Sequence, residues 1–306
     1  MKIRVLGSAA GGGFPQWNCN CHNCSGVRNG TLRALRRTQS SIAVCGADPA
    51  AWVLVNASPD ILEQLRAFPD LQPARARRDS AIAAIVLVDA QIDHTIGLFM
   101  LRESSRPLPL WCTDAACADL TGGNPILGVL KHYCGVERHA LTPDGVAFTI
   151  DTVPGTVWRA LAVPGKPAPY SPRRESPVSG DNVALVIRDA VTQRTAVYAP
   201  GLGSMQEAVW QAMQAAACVL VDGTFWSDDE MIALGVSRKR AREIGHLPQS
   251  GSEGMLEWLQ QLAPATRRIL IHVNNTNPIL DEDSPERAEL TRRGIEVAWD
   301  GLEVEL

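Results

Sequence analysis

The 306 residues predict one α/β domain, and three observations carry that prediction. Strand-length apolar runs alternate with helix-patterned stretches along the chain. Three of those runs, residues 81–88, 217–221 and 268–272, finish at polar residues able to bind a metal or move a proton: Asp89, Asp222 and His272. The ends of buried strands are where α/β folds assemble their sites. A hydrophobic content of 45% against 20% charged residues is enough to bury a full core, and the length suits a single unit over 1–306.

From the N-terminus, residues 2–7 alternate like a strand and are too short in apolar length for a signal peptide. Gly11, Gly12 and Gly13 follow as a flexible turn, because neither their spacing nor a following Lys-Ser/Thr matches a nucleotide-binding loop. Residues 41–45 and 52–56 read as paired strands about a turn at Gly46-Ala47-Asp48-Pro49, and residues 59–67 as a helix with Ile61, Leu62 and Leu65 on its apolar face. Residues 81–88 form a nearly continuous apolar run, as expected of a strand covered on both faces. The proline-rich stretch 163–180 excludes helix and interior strand, which leaves an ordered loop. It is either a lid that sets Lys166 and Tyr170 against a ligand or a linker.

The formal net charge of −4 argues against broad binding of a phosphate backbone, so no nucleic-acid partner is expected. Two basic clusters, Arg33, Arg36, Arg37 and Arg75, Arg77, Arg78, are either solvated surface or local attractors of an acidic ligand. No run reaches the ~18 apolar residues of a membrane span, and the reading is of a cytoplasmic protein. Thiols stay reduced in that compartment, so the eight cysteines are expected to be buried or to bind metal. Cys45, Cys112, Cys117, Cys134 and Cys218 lie scattered in apolar or mixed stretches, as small buried hydrophobes do. Cys19, Cys21 and Cys24 fall together in the loop of about 16–25, where three thiolates can converge on one tetrahedral zinc. Such a closed site is expected to stabilise the fold and take no part in turnover. The spacing leaves the fourth ligand open between His22 and a residue from elsewhere, for instance near Asn275.

Asp89-Ala90-Gln91-Ile92-Asp93-His94, with Gly97 beyond, resembles the His-x-His-x-Asp-His motif of the metallo-β-lactamase superfamily, with Asp89 and Gln91 in the two leading histidine positions. Gly245-His246 resembles the penultimate histidine motif of its RNase Z-like branch, and Leu270-Ile271-His272 its final ligand motif. The aspartate expected after the tyrosine of Tyr198-Ala199-Pro200-Gly201 is absent. The resemblance implies a four-layer αββα sandwich that keeps one half of a two-metal site. Gly12-Gly13-Phe14-Pro15-Gln16-Trp17-Asn18-Cys19-Asn20-Cys21, Arg37-Thr38-Gln39-Ser40-Ser41, Asn56-Ala57-Ser58-Pro59-Asp60-Ile61, Asp222-Gly223-Thr224-Phe225-Trp226 and His272-Val273-Asn274-Asn275-Thr276-Asn277-Pro278 resemble the coenzyme PQQ synthesis protein B family, across essentially the whole chain.

That resemblance implies a part in making pyrroloquinoline quinone from a peptide-derived, cross-linked glutamate and tyrosine. The part is either an iron-dependent oxygenase acting on the tyrosine ring or a carrier of the quinone or its precursor; a metal-dependent hydrolase of the RNase Z-like kind is the third alternative. Two imidazoles and one carboxylate, His94, His272 and Asp93, are the set that suits non-heme Fe(II) and leaves positions open. His246 is the candidate for proton handling, Asp222 for a further ligand or for orienting one, and Asp89 for weak coordination in place of a lost histidine. Lys166, Arg37 and Tyr170 are the candidates for holding the substrate, the two cations through its carboxylates. The oligomeric state, a homodimer included, is left open.

Overall fold

The computed structural model describes residues 1–306, and the alternating pattern of its strands decides which side chains fill which layer. Six strands come first: β1 (Lys2–Gly7), β2 (Ser41–Cys45), β3 (Trp52–Val55), β4 (Ile82–Val86), β5 (Leu108–Cys112) and β6 (Val136–Ala140). The next six, β7 (Thr156–Ala162), β8 (Val183–Asp189), β9 (Thr195–Ala199), β10 (Cys218–Asp222), β11 (Arg267–Ile271) and β12 (Ile295–Val297), form a second sheet in the order β12-β11-β10-β9-β8-β7. The last strand, β13 (Glu303–Glu305), returns to the first sheet, whose order is β13-β1-β2-β3-β4-β5-β6. Hairpin-like antiparallel pairs start each sheet, while β3 to β6 and β9 to β12 run parallel.

Successive residues of a strand point to opposite faces, and the burial follows that period. On β8, Leu185 and Ile187 enter the core between the sheets, whereas Ala184 and Val186 face the helices outside. The inner core joins Ile3, Val5, Val44 and Val86 to Trp158, Tyr198, Leu220 and Ile269. Helices Glu207–Gln214, Met255–Gln260 and Pro285–Arg292 cover the second sheet through Val209, Met213, Leu256, Leu259 and Leu290. Helix Ile61–Ala67 and the 3-10 turn Ile96–Leu101 cover the first through Ile61 and Leu98. The result is the four-layer αββα sandwich, and it explains why 81–88 is apolar throughout: β4 is covered on both faces.

The expected helix at 59–67 begins two residues later, at Ile61 after Asp60, and strand 52–56 stops at Val55 because Asn56 takes a left-handed backbone with φ 62°. The 163–180 stretch has neither helix nor strand, as its prolines require, yet it is not a free linker. Ala168 is buried in the first sheet's outer core, and Tyr170 donates its hydroxyl hydrogen to the carbonyl of Ala90. No helix is long and apolar enough to cross a membrane.

Trp158 illustrates what holds the sheets together: its ring is fully buried between them and its Nε1–H donates to Thr156 Oγ1 at 2.9 Å. Trp158→Ala would remove that area and leave a cavity, with an expected loss of about 3–5 kcal/mol read from urea unfolding midpoints. A loss below about 1 kcal/mol would mean that the inter-sheet core is not closed around this ring.

Candidate metal centre

Parallel strands deliver their polar ends to one edge of the sandwich. Beyond β4 the chain turns at Asp89 and enters the short helix Ile92–Thr95, which carries Asp93 and His94. From the second sheet, β10 ends on Asp222 and β11 is followed directly by His272. Across the seam His272 Nε2 lies 3.2 Å from Asp93 Oδ2, which is 3.8 Å from His94 Nε2. The donor atoms of Asp93, His94 and His272 all lie within 4.8 Å of one another, and a second group of the same compactness, Asp222, His246 and His272, shares His272 with it.

Each imidazole is oriented by its other nitrogen. His94 Nδ1 sits 2.8 and 2.9 Å from the two oxygens of Asp89, so the neutral ring keeps its proton there and has its lone pair at Nε2. That Nε2 is buried and has no hydrogen-bond partner, which is the feature a cation would satisfy. Asp89 also accepts from the backbone N–H of Gln91 at 2.8 Å, so its carboxylate is engaged in holding the ring and turn rather than in replacing a lost histidine ligand. Thr224 does the corresponding work on the other sheet: its hydroxyl donates to the carbonyl of His272 at 2.9 Å, and its oxygen lies 2.9 Å from His272 Nδ1 and 3.0 Å from His246 Nδ1. His272 Nε2 is thereby turned toward Asp93. His246 is held by Asp222, Nδ1 to Oδ2 at 2.8 Å, and its ring stacks on that of His272 with centroids 5.4 Å apart.

The electrostatics follow from burial opposed by neighbours. Burial raises the carboxyl of Asp93, but the imidazoles of His94 and His272 overcome it and hold the group well below the usual carboxylate range. Burial lowers His94, yet the carboxylates of Asp89 and Asp93 pull it up to about 9. Asp222 is likewise depressed despite burial, chiefly by His246, and His246 is raised by Asp222. Gly11 closes the wall beside Asp93: a Cβ there would lie 3.3 Å from Oδ2. The turn read from sequence as merely flexible is part of the site.

A separate group lies in the N-terminal loop. Cys19, Cys21 and Cys24 converge within the same 4.8 Å, and the side-chain nitrogen of Asn275 stands 3.1, 3.6 and 3.4 Å from their sulfurs. His22 is exposed at the start of helix His22–Asn29 and does not join them, so the open choice of a fourth partner falls on the Asn275 side. Burial, reinforced by the neighbouring thiols, pushes Cys21 up to about 11, since charges so close repel without a cation among them.

The substrate-holding candidates are not brought to either group. Arg37 is buried and directs its guanidinium to the Ser8 hydroxyl at 3.0 Å and to the carbonyl of Ala298; burial lowers it to about 10. It ties β1 to the C-terminal segment, which corrects its reading as a clamp. Lys166 pairs with Glu175 at 2.6 Å inside its own loop, and Tyr170 spends its hydroxyl on Ala90, bracing the Asp89 turn. Neither meets Asp93, His94 or His272. Thr224 was not singled out by sequence as a site residue, because a threonine after a strand carries no signal until its three partners are in place. A cavity of about 860 Å³ lies at the other end of β4 and β5, lined by residues such as Leu62, Arg66, Arg77 and Met100, and does not touch the centre.

Residues 51–273 match the beta-lactamase superfamily domain, which defines the class. The chain is 62% identical over its full length to coenzyme PQQ synthesis protein B of Azoarcus sp. (strain BH72), and 60% identical, over 99% of both chains, to that of Cupriavidus taiwanensis. A crystal structure of zinc-bound PqqB from Methylobacterium extorquens superposes with a TM-score of 0.89 at 36% identity, covering all of both chains. This protein belongs to the coenzyme PQQ synthesis protein B family. A diphosphatase of the PhnP family, at TM-score 0.67 and 20% identity over all of this chain and 96% of its own, shares the fold alone.

Glu230 gives a pH test of the surrounding loops. It is buried, accepts from Thr276 Oγ1 at 2.5 Å and from the Trp226 N–H at 2.6 Å, and burial raises it from the ordinary 4.5 to about 7. The fold favours its protonated form, so its stabilising contribution is complete below about 4.5 and is lost as pH rises through 7. Glu230→Gln is expected to flatten that decline and be the more stable protein at pH 8, by on the order of 1–3 kcal/mol in urea unfolding. Equal pH slopes for the two proteins would remove Glu230 from the titration.

Proposed function

We propose that this chain acts in the formation of pyrroloquinoline quinone as a single-metal, iron-dependent oxygenase that hydroxylates the tyrosine ring of a peptide-derived glutamate–tyrosine precursor. The observation that carries the reading is the buried, unpartnered Nε2 of His94, aimed by Asp89 beside the Asp93 carboxylate and His272 Nε2. Two imidazoles and one carboxylate are the donor set of non-heme Fe(II) sites with open positions. The leading residues Asp89 and Gln91 offer no second metal its imidazoles, and Asp89 is committed to His94, which disfavours the paired-metal chemistry of hydrolases. Zinc in the Methylobacterium extorquens relative is compatible, because such sites bind Zn²⁺ more tightly than Fe²⁺.

Iron, when bound, would supply the one-electron steps that oxygen needs; the rest is the work of side chains. Asp93, His94 and His272 would hold the ion, with Asp89 and Thr224 fixing the two rings. His246, stacked on His272 and ion-paired with Asp222, stands where it could take a proton from a ring hydroxyl and pass charge to a buried carboxylate. Cys19, Cys21 and Cys24 would hold the structural zinc, with the Asn275 amide on the fourth side. The ring itself can supply the electrons, since a phenol and O2 give an ortho-quinone and one water with no other reductant, so no nicotinamide or flavin motif is required.

The deciding experiment is anaerobic reconstitution with Fe(II), then oxygen and a tyrosine-type precursor. Oxygen consumption coupled to a product heavier by oxygen is the expected result. Tight binding of the finished quinone with no turnover under any metal would establish the carrier alternative instead. Asp93→Ala or His272→Ala should abolish iron at this centre and keep one zinc per chain, while Gln91→Ala should matter less; equal losses from Gln91→Ala and Asp93→Ala would mean that the leading half still coordinates.

Metal uptake should also depend on pH. In the metal-free protein His94 carries a proton up to about 9, and an ion must displace it. Affinity is therefore expected to rise by about tenfold per pH unit from 7 to 9, with one proton released per ion from this group. A flat profile in metal titrations would rule out His94 as the protonated ligand.

A further inference from the structure

One segment of six residues, 272–277, runs from the imidazole of His272 to the cysteine cluster, and both ends are tied down by buried amides. Asn23, in the helix that begins beside Cys21, is 4% exposed and donates from Nδ2 to the carbonyls of Asn275 at 3.1 Å and Asn277 at 2.9 Å. Cys21 lies with its sulfur 3.6 Å from that same carbonyl of Asn275, and the Asn275 side-chain nitrogen stands over the three sulfurs as a fourth neighbour. Asn277 in turn donates to the carbonyls of Gly223 at 3.0 Å and Thr224 at 3.2 Å. Thr224 is the residue that grips both the carbonyl and the Nδ1 of His272. His272 itself sits at φ 62°, a left-handed backbone that a histidine holds only when its surroundings enforce it.

The cysteine cluster therefore reaches His272 twice, once along the chain and once through Asn23, Asn277 and Thr224. We infer that the two metal sites are energetically coupled: a metal on Cys19, Cys21 and Cys24 raises the affinity of the Asp93–His94–His272 centre, with Asn23 and Asn277 as positioning residues. This rests on the metal reading of both clusters, and it revises the expectation that the cysteine loop takes no part in turnover. Thiolates drawn around an ion fix Asn275 and the start of helix His22–Asn29; that fixes Asn23, whose two hydrogen bonds set the path of 273–277. A segment so set holds His272 Nε2 toward Asp93. Without the ion, three crowded thiols have no reason to stay converged, and Asn23 no longer adds its restraint on 273–277 to the sandwich's own hold on His272. Coupling of this kind is reciprocal, so an ion at the centre must tighten the cysteine site by the same factor.

The test uses full-length protein and two probe ions. Cd(II) is loaded on the cysteine cluster, checked by its sulfur charge-transfer band, and Co(II) is then titrated into the second centre and followed by its visible d–d absorption. Wild type is expected to bind Co(II) at least tenfold more weakly when the cysteine cluster is stripped than when it is loaded. Asn23→Ala and the isosteric Asn23→Asp, which turns a donor into an acceptor, should weaken Co(II) by about 10- to 100-fold with the cadmium band retained. Leu71→Ala, a change in the outer core of the first sheet at the end remote from the centre, provides a destabilised control whose Co(II) affinity should match wild type. Unchanged Co(II) affinity in both Asn23 variants, or affinity in wild type that ignores cadmium occupancy, overturns the coupling. Co(II) binding that survives Asp93→Ala overturns instead the reading of the centre on which it rests, and with it the inference.

Discussion

Leaving β11, the chain must turn within one residue so that an imidazole carried on the second sheet faces a carboxylate carried on the first. His272 makes that turn at φ 62°, a conformation that costs a non-glycine residue on the order of 1–3 kcal/mol. Nothing local repays the cost. The Val273 N–H reaches the carbonyl of Ser8 at 2.9 Å, the Asn274 N–H reaches that of Thr224 at 3.1 Å, and the Thr224 hydroxyl caps the carbonyl of His272 itself. Each of these partners belongs to a strand end or loop already fixed by the sandwich. A residue in sparsely populated backbone space, over-determined by its neighbours, is the usual mark of a functional position.

The division of labour between the sheets explains why the centre is built as it is. The first sheet contributes a rigid pair, Asp93 and His94, on a helix four residues long, oriented by Asp89 from the turn just before it. The second contributes His272, His246 and Asp222, bound to one another through Thr224. Where the superfamily motif has its leading histidines this chain has Asp89 and Gln91, and Asp89 holds the ring of His94. Gly11 lies beside Asp93, where a Cβ would come within 3.3 Å of Oδ2 and press on the carboxylate.

Much of this was legible in the sequence, and the misses have physical reasons. Buried strands ending in Asp89, Asp222 and His272 could be read because apolar runs of strand length are local signals, and Asp93 and His94 because their spacing is a local motif. The cysteine cluster was legible for the same reason. Arg37 was misread because charge in a sequence says nothing about burial; only the fold shows its guanidinium turned inward to Ala298. Lys166 found its partner nine residues along the same loop, a contact that no periodicity encodes. The roles of Thr224, Asn23 and Gly11 depend on contacts 48, 252 and 82 positions away along the chain, and a single sequence carries no trace of such pairings.

The seam between the sheets carries a consequence for how this protein tolerates change. Because one half of the centre hangs on each sheet, any slippage of one sheet over the other is converted directly into a change of the 3.2 Å gap between Asp93 and His272. Substitutions in the shared core, far from any polar atom, thus become substitutions at the centre in effect, and interiors transmit such strain because they are close-packed. An enzyme whose site sits within one layer can drift in its core and keep its chemistry. Here the freedom to repack is bounded by the clearance of the site as well as by stability.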